Sequence, residues 1–329
     1  MITSIFAQER GGLHFEVFAG SAPALSPNCT FISGERDAIL IDVQFVLEEA
    51  RELVARVKDS GKQLKAAFIT HAHPDHYGGM PEIQAAFPDT PILARQGVID
   101  GILEWPAKRL HWQEAYGDQI PDEMPVPELL TGDQYLLEGH PVLFVDLPLA
   151  ETVHATAFHV PDAEAFIAGD LLNHHSHCYM ADTNNPSSWL QALDQVQALG
   201  EHRIVVPGHG PVGGSEVFDD TRAWVERLSR IIGATVPEMV SWEWEKHKRK
   251  GLARLDYTQN AINKTLVAPF SVRPARPAPV SVPIGWDELD DPDLRPDRWT
   301  IHSVLERLET VGDPFEALLG APEQRLPEL

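Results

Sequence analysis

Cysteine is scarce in this chain of 329 residues, with only Cys29 and Cys178. Two thiols build no disulfide framework, which suits a reducing compartment. Long apolar runs are missing as well: no stretch approaches the roughly 18 residues of a membrane-spanning helix. The first twelve residues carry Glu9 and Arg10 and lack the apolar centre of a signal peptide. A cytoplasmic protein without membrane contacts is therefore expected. Positive charge is also short, with 26 Lys and Arg against 49 Asp and Glu and a net charge of −23. Phosphate backbones need a basic footprint, so nucleic acid is not an expected partner. The G-x-S-x-G turn of serine hydrolases is absent, and no internal repeat is visible.

What the chain does have is a dense cluster of donors. Thr70-His71-Ala72-His73-Pro74-Asp75-His76-Tyr77-Gly78-Gly79 packs three imidazoles and a carboxylate into six residues. The preceding Ala66, Ala67, Phe68, Ile69 and Thr70 read as a buried strand, so the cluster falls on the turn that ends it. Pro74 and the two glycines are expected to tighten that turn. Imidazole and carboxylate together are ligands for zinc and similar divalent ions. A lone histidine here would read as part of a polar surface loop. Four donors at this spacing, between an apolar strand and Gly-Gly, read as a metal site.

The pattern His71-x-His73-x-Asp75-His76 resembles the signature of the metallo-β-lactamase-fold superfamily. Two later stretches carry the same resemblance, Ala168-Gly169-Asp170 and Val206-Pro207-Gly208-His209-Gly210, each after an apolar run. Their order and approximate spacing agree over about residues 14–213. The resemblance implies an α/β fold, an αββα sandwich of two mixed β-sheets flanked by helices. It also implies two divalent ions, with zinc expected and manganese or iron as alternatives. His71 and His73 would hold one ion, Asp75, His76 and His209 the other, and Asp170 would bridge them. The family's third histidine on the first ion has no direct counterpart, and Glu151 and His154 compete for its place. If the hairpin turn is Pro161–Glu164, Val160 pairs with Ala165 and Ala155 falls opposite Asp170. Counting back from Ala155 as relatives do favours Glu151, with His154 beside the site. A carboxylate there adds negative charge and favours a harder ion.

The implied reaction is hydrolysis of a small ester, lactone, thioester or amide by a metal-bound hydroxide, with Asp75 orienting it and moving its proton. The alternative on the same fold is an iron-dependent oxidoreductase, and a non-catalytic binding protein is a third reading. Asp42, ending an apolar strand, either supports a ligand histidine or is satisfied by backbone amides. Cys178 reads as a packed side chain. The run Asn173 to Tyr179 holds His174, His175 and His177 facing the cleft. His177 or Tyr179 is expected to touch substrate, rather than all three histidines serving as ligands.

Periodicity places strands at 14–19, 29–33, 38–43, 91–94, 142–147, 155–160, 165–168 and 203–206, with helices at 45–60, 80–87, 187–199 and 219–234. Residues 96–135 fit no clean period. With Trp105, Trp112 and Tyr116 they read as an aromatic lid or as an insertion with its own core. Residues 1–218 are expected to form the catalytic domain and 219–329 an extension of helices and a Pro-rich arm. The arm, extended over 268–298 and ending in a helix at 299–309, is expected to pack on the core or on a second copy in a homodimer. No motif within it points to chemistry.

Overall fold

Alternation of apolar side chains along the strands decides how the layers stack. In a strand, odd and even residues face opposite ways. Ile39 and Ile41 point to one side of their strand and Ala38 and Leu40 to the other, and all four are buried. Strands buried on both faces require a layer on each side, and this chain supplies them. The computed structural model describes residues 1–179, 186–235, 240–241, 253–254, 270–273, 276–284, 288, 291, 293–295 and 297–312.

One sheet has seven strands in chain order: β1 (Thr3–Arg10), β2 (Leu13–Ala19), β3 (Asn28–Ser33), β4 (Asp37–Ile41), β5 (Gln63–Phe68), β6 (Ile92–Ala94) and β7 (Glu128–Leu129). It is antiparallel from β1 to β4 and parallel from β4 to β7. The other has five: β8 (Gln134–Leu137), β9 (His140–Asp146), β10 (Thr156–Val160), β11 (Ala165–Ile167) and β12 (Ile204–Val206). Only β11 and β12 run parallel in it. Phe15, Ile32, Ile39, Phe68, Phe158, Ile167 and Val206 fill the space between the sheets.

The outer face of the first sheet is covered by helices α1 (Leu47–Asp59), α3 (Met80–Ala86), α4 (Gln96–Leu103) and α5 (Trp105–Tyr116), through Leu53, Val57, Ile83, Val98 and Trp105. The one-turn helix α2 (Pro74–Tyr77) lies just before α3. The second sheet is covered by α6 (Pro186–Gln197) and α7 (Glu216–Thr235), through Trp189, Leu193, Phe218 and Val225. This is the expected αββα sandwich. Among the described residues no helix is long and apolar enough to cross a membrane.

Three regions differ from the sequence expectation. Thr3–Arg10 is a strand on the sheet edge, and its largely exposed, polar side chains hid it. Residues 96–116 form α4 and α5: Trp105 is buried against Tyr77, while Trp112 and Tyr116 pack on Phe45. The expected boundary at 218 falls inside α7, which packs against α6, and the chain divides into compact units at Met1–Ala261 and Ile262–Leu329.

In the second unit, bridges join Val272 to Val280 and Pro279 to Thr300. Arg307 grips Glu288 through two bonds of 2.7 Å and covers the Trp299 ring at 4.2 Å. Its helix α8 (Val304–Val311) starts later than expected, because the Ser303 hydroxyl accepts the Thr300 amide in the turn before it. The Lys-rich run 246–250 and Trp286 lie outside the described residues.

Candidate metal centre

Both sheets deliver donors to one place. Strand β5 runs into Thr70 and His71. His73 caps α2, and Pro74 starts that helix at a position where no N–H is needed. Asp75 and His76 then lie on the same turn. Gly78 and Gly79 have ordinary helical dihedrals, so the tight-turn explanation is wrong for them. Their role is space: a Cβ on either would strike the Phe45 or Val43 carbonyl. From the second sheet, Asp170 sits in the 3-10 turn Gly169–Leu171 after β11, and His209 follows β12. Gly208 is obligatory there, since a side chain would collide with the Asp170 carboxylate. The sheets are stitched at this point by a His71–Ala155 bridge and by Thr156 N donating to Thr70 O at 2.8 Å.

Two donor groups result. His71, His73, Glu151 and Asp170 place one donor atom each within 4.8 Å of one another, and so do Asp75, His76 and His209. Asp170 faces both groups. Its Oδ2 lies 3.6 Å from His71 Nε2 and 3.8 Å from His73 Nδ1, while its Oδ1 lies 3.1 Å from His76 Nε2 and 3.4 Å from His209 Nε2. Glu151 Oε1 is 3.3 Å from His73 Nδ1, and Asp75 Oδ2 is 3.3 Å from His209 Nε2.

The far side of each ring shows which nitrogen is offered. Asp42 Oδ2 accepts from the Thr70 hydroxyl at 2.8 Å, so that hydroxyl must accept His71 Nδ1–H at 2.9 Å. Asp42 Oδ2 also accepts His76 Nδ1–H at 2.8 Å, and the Leu25 carbonyl accepts His209 Nδ1–H at 3.0 Å. In all three rings Nε2 is left to face the cluster. A ligand histidine commonly hands its other N–H to a carboxylate or carbonyl in this way. His71 Nε2, His76 Nε2 and Asp170 Oδ1 are buried and make no hydrogen bond, which is costly unless something else, such as a cation, meets them. The residues thus fit divalent ions. Asp42 itself adopts φ 60°, a left-handed backbone that aspartate tolerates, and its other oxygen accepts the Thr70 amide at 2.8 Å.

The electrostatics agree. Burial opposes charge on His76, yet Asp170, Asp75 and Asp42 hold it well above the ordinary imidazole range. His209, which is partly buried, is raised against that burial to about 10 by Asp170 and Asp75. Burial works against the Asp75 and Asp170 carboxylates too, but His76 and His209 keep both below the usual carboxylate range. His71 is lowered to about 4, first by burial and then by His76. The pocket stabilises positive charge at Nε2 of His76 and His209, and either a proton or a metal ion can supply it.

Of the two competitors on the first group, Glu151 is buried and stands with His71 and His73, whereas His154 is exposed and its ring covers Gly97 on α4. The hairpin register holds from Val160–Ala165 to Phe158–Ile167. It does not extend to an Ala155–Asp170 pair: Gly169 turns the chain away, and Ala155 bridges His71 instead. Tyr179 is half-exposed, its ring 5.4 Å from that of His73, and His177 is exposed. Cys178 packs beside Trp189 and Leu171, its thiol pushed up to about 12 chiefly by burial. Lys108, on α5, escaped notice in the sequence: its Nζ donates to the Ala72 carbonyl at 2.7 Å and the Gly101 carbonyl at 2.9 Å, pinning the loop between His71 and His73. No motif marks such a residue, because its targets are backbone atoms.

Comparison with known proteins places these features. The family model for the metallo-beta-lactamase superfamily matches residues 22–209, and one for the primase-polymerase domain of LigD matches residues 203–315. A metallo-beta-lactamase from Pontibacter korlensis has the same fold, with a TM-score of 0.56 at 18% identity over 69% of this chain and 99% of its own. A hydroxyacylglutathione hydrolase from Ruegeria pomeroyi is 27% identical over 238 residues, 68% of this chain and 82% of that protein. The LigD protein of Mycolicibacterium smegmatis is 37% identical over 87 residues, which are 26% of this chain and only 11% of that protein. The sandwich, the HxHxDH turn and a family match over more than half of the sequence lead to one conclusion: the chain belongs to the metallo-beta-lactamase superfamily.

Proposed function

We propose that the protein is a dinuclear metal hydrolase of small esters, lactones, thioesters or amides. The observation that carries this reading is the placement of Asp170, whose two oxygens face two separate donor groups. His71, His73 and Glu151 would hold one ion, and Asp75, His76 and His209 the other. When bound, two such ions lower the pKa of water towards neutrality and polarise a substrate oxygen. Asp75 lies 3.3 Å from His209 Nε2, where it would orient the attacking water and shuttle its proton. Tyr179, at the rim beside His73, is available to touch the substrate. Similarity to a hydroxyacylglutathione hydrolase ranks thioesters first among the candidates. Zinc is the proposed metal. We propose a cytoplasmic enzyme whose partner is a small molecule, with the second unit serving homodimer contacts.

A panel of thioesters, lactones, esters and β-lactams, tested alongside end-labelled DNA, decides the matter. Hydrolysis of a small acyl substrate, lost on chelation and restored by zinc, is the expected result. Cleavage of DNA alone would overturn the reading. One observation favours a second reading: His71, His73 and Glu151 make a two-histidine, one-carboxylate set, which also suits iron oxygen chemistry. Oxygen consumption by iron-loaded protein, without hydrolysis, would select it.

A further inference from the structure

A second cluster of metal-binding side chains lies outside the centre just described. His174, His175 and Asp220 place donor atoms within 4.8 Å of one another, on the loop after Asp170 and on α7. His174 is buried, and its Nδ1 lies 3.0 Å from the Pro211 carbonyl. A carbonyl only accepts, so Nδ1 carries the proton. That leaves the Nε2 lone pair of the neutral ring aimed at Asp220 Oδ2, 3.2 Å away. Two acceptors at that distance repel unless a cation lies between them. A second proton on the ring is one such cation. A metal ion is the other, and a third donor favours it: His175 Nε2 lies 3.7 Å from the same carboxylate oxygen.

The spacing suits a metal. Around a tetrahedral ion with ligands at about 2.0–2.1 Å, neighbouring donors stand roughly 3.3 Å apart. Adjacent side chains of an extended segment point opposite ways, but His175 has φ 52°, and the two rings lie side by side with centroids 4.1 Å apart. The frame is fixed in advance. The Thr221 hydroxyl accepts the Asn173 amide at 3.0 Å and donates to the Asn173 carbonyl at 2.9 Å, tying the loop to α7 next to Asp220. Preformed donors lose little freedom when an ion arrives.

We propose that His174, His175 and Asp220 form an additional, partly solvent-open site for a borderline divalent ion such as zinc or nickel. Two imidazoles and a carboxylate match such ions better than they match magnesium or calcium. The site lies one peptide away from the centre, because the His174 amide donates to the His209 carbonyl at 3.2 Å. An ion there would clamp the loops that carry Tyr179 and His209.

The test uses the full chain dialysed against zinc in the low micromolar range, with bound metal counted by mass spectrometry. His175→Ala and Asp220→Asn remove exposed donors and leave the buried His174 in place. The expected result is that wild type holds one equivalent more than either variant, whatever the content of the main centre. Zinc should also shift the His174 Nε2 resonance of ¹⁵N-labelled wild type and not that of Asp220→Asn. Equal metal content in all three proteins, with no zinc-dependent shift, would overturn the proposal and leave a protonated His174–Asp220 ion pair.

Discussion

The two donor groups share Asp170 but are held in different ways. His76 and His209 have their Nδ1–H groups taken by Asp42 and by the Leu25 carbonyl, and His76 is fully buried. In the first group Glu151, itself buried, arrives on an irregular loop between β9 and β10. The comparison teaches that the first half takes one of its donors from the loop between β9 and β10, and that this loop is where the chain differs from the family pattern.

Exchanging the loop donors tests that contrast most severely. Glu151→Gln should lose one equivalent of metal and roughly 10³-fold in kcat/KM, about the several kcal/mol a Lewis acid supplies. His154→Ala should keep its metal and remain within about threefold of wild type. Retention of the ion by Glu151→Gln and its loss by His154→Ala, in a metal assay, would reverse the assignment.

Removing the supports should have smaller effects that map onto the two halves. Asp42 braces His71 through Thr70 and braces His76 directly, so Asp42→Ala should weaken both ions by about 10- to 100-fold. Lys108 holds the Ala72 carbonyl between His71 and His73, together with the Gly101 carbonyl on α4. Lys108→Met should therefore weaken the first ion alone, by several-fold. Competitive chelator titration separates the two ions, and equal losses from both in Lys108→Met would break the contrast.

The smallest effect separates the centre from its scaffold. His159 and His202 are buried beside Phe166 and Phe218, on the far side of the second sheet, and burial lowers both from the usual imidazole range. Below about pH 6.5 the unfolded chain binds protons there that the folded chain resists, so stability falls as pH drops from that point. The double variant His159→Gln/His202→Gln should lose less Tm than wild type between pH 7 and 5, by about 2–4 °C for each kcal/mol. Parallel Tm curves would show that acid acts through the centre instead.

Sequence reading reached the donors because they cluster at strand ends: the HxHxDH turn, Asp170 and His209 each follow an apolar run. It reached the layers because β4, the end of β5 and β12 are apolar runs buried on both faces. It did not reach Lys108 or the Leu25 carbonyl, whose roles exist only once α5 and the loop at 22–26 are packed. Gly97, Gly101 and Pro106 broke the period of α4 and α5. After His209 no chemical motif stands out, so the likeness of residues 203–315 to a piece of LigD, which straddles the two units, was invisible to a search for catalytic residues.

The bridge between His71 and Ala155 has a consequence for assembly. The centre has no local precursor, because its donors come from both sheets and are far apart along the chain. A partly folded chain offers an ion the HxHxDH turn but not Asp170 or His209. Closing such long loops comes late in folding. Metal ions bound there would therefore act as a latch on the finished sandwich rather than as a seed for it, stabilising the native state by mass action once the two sheets have met.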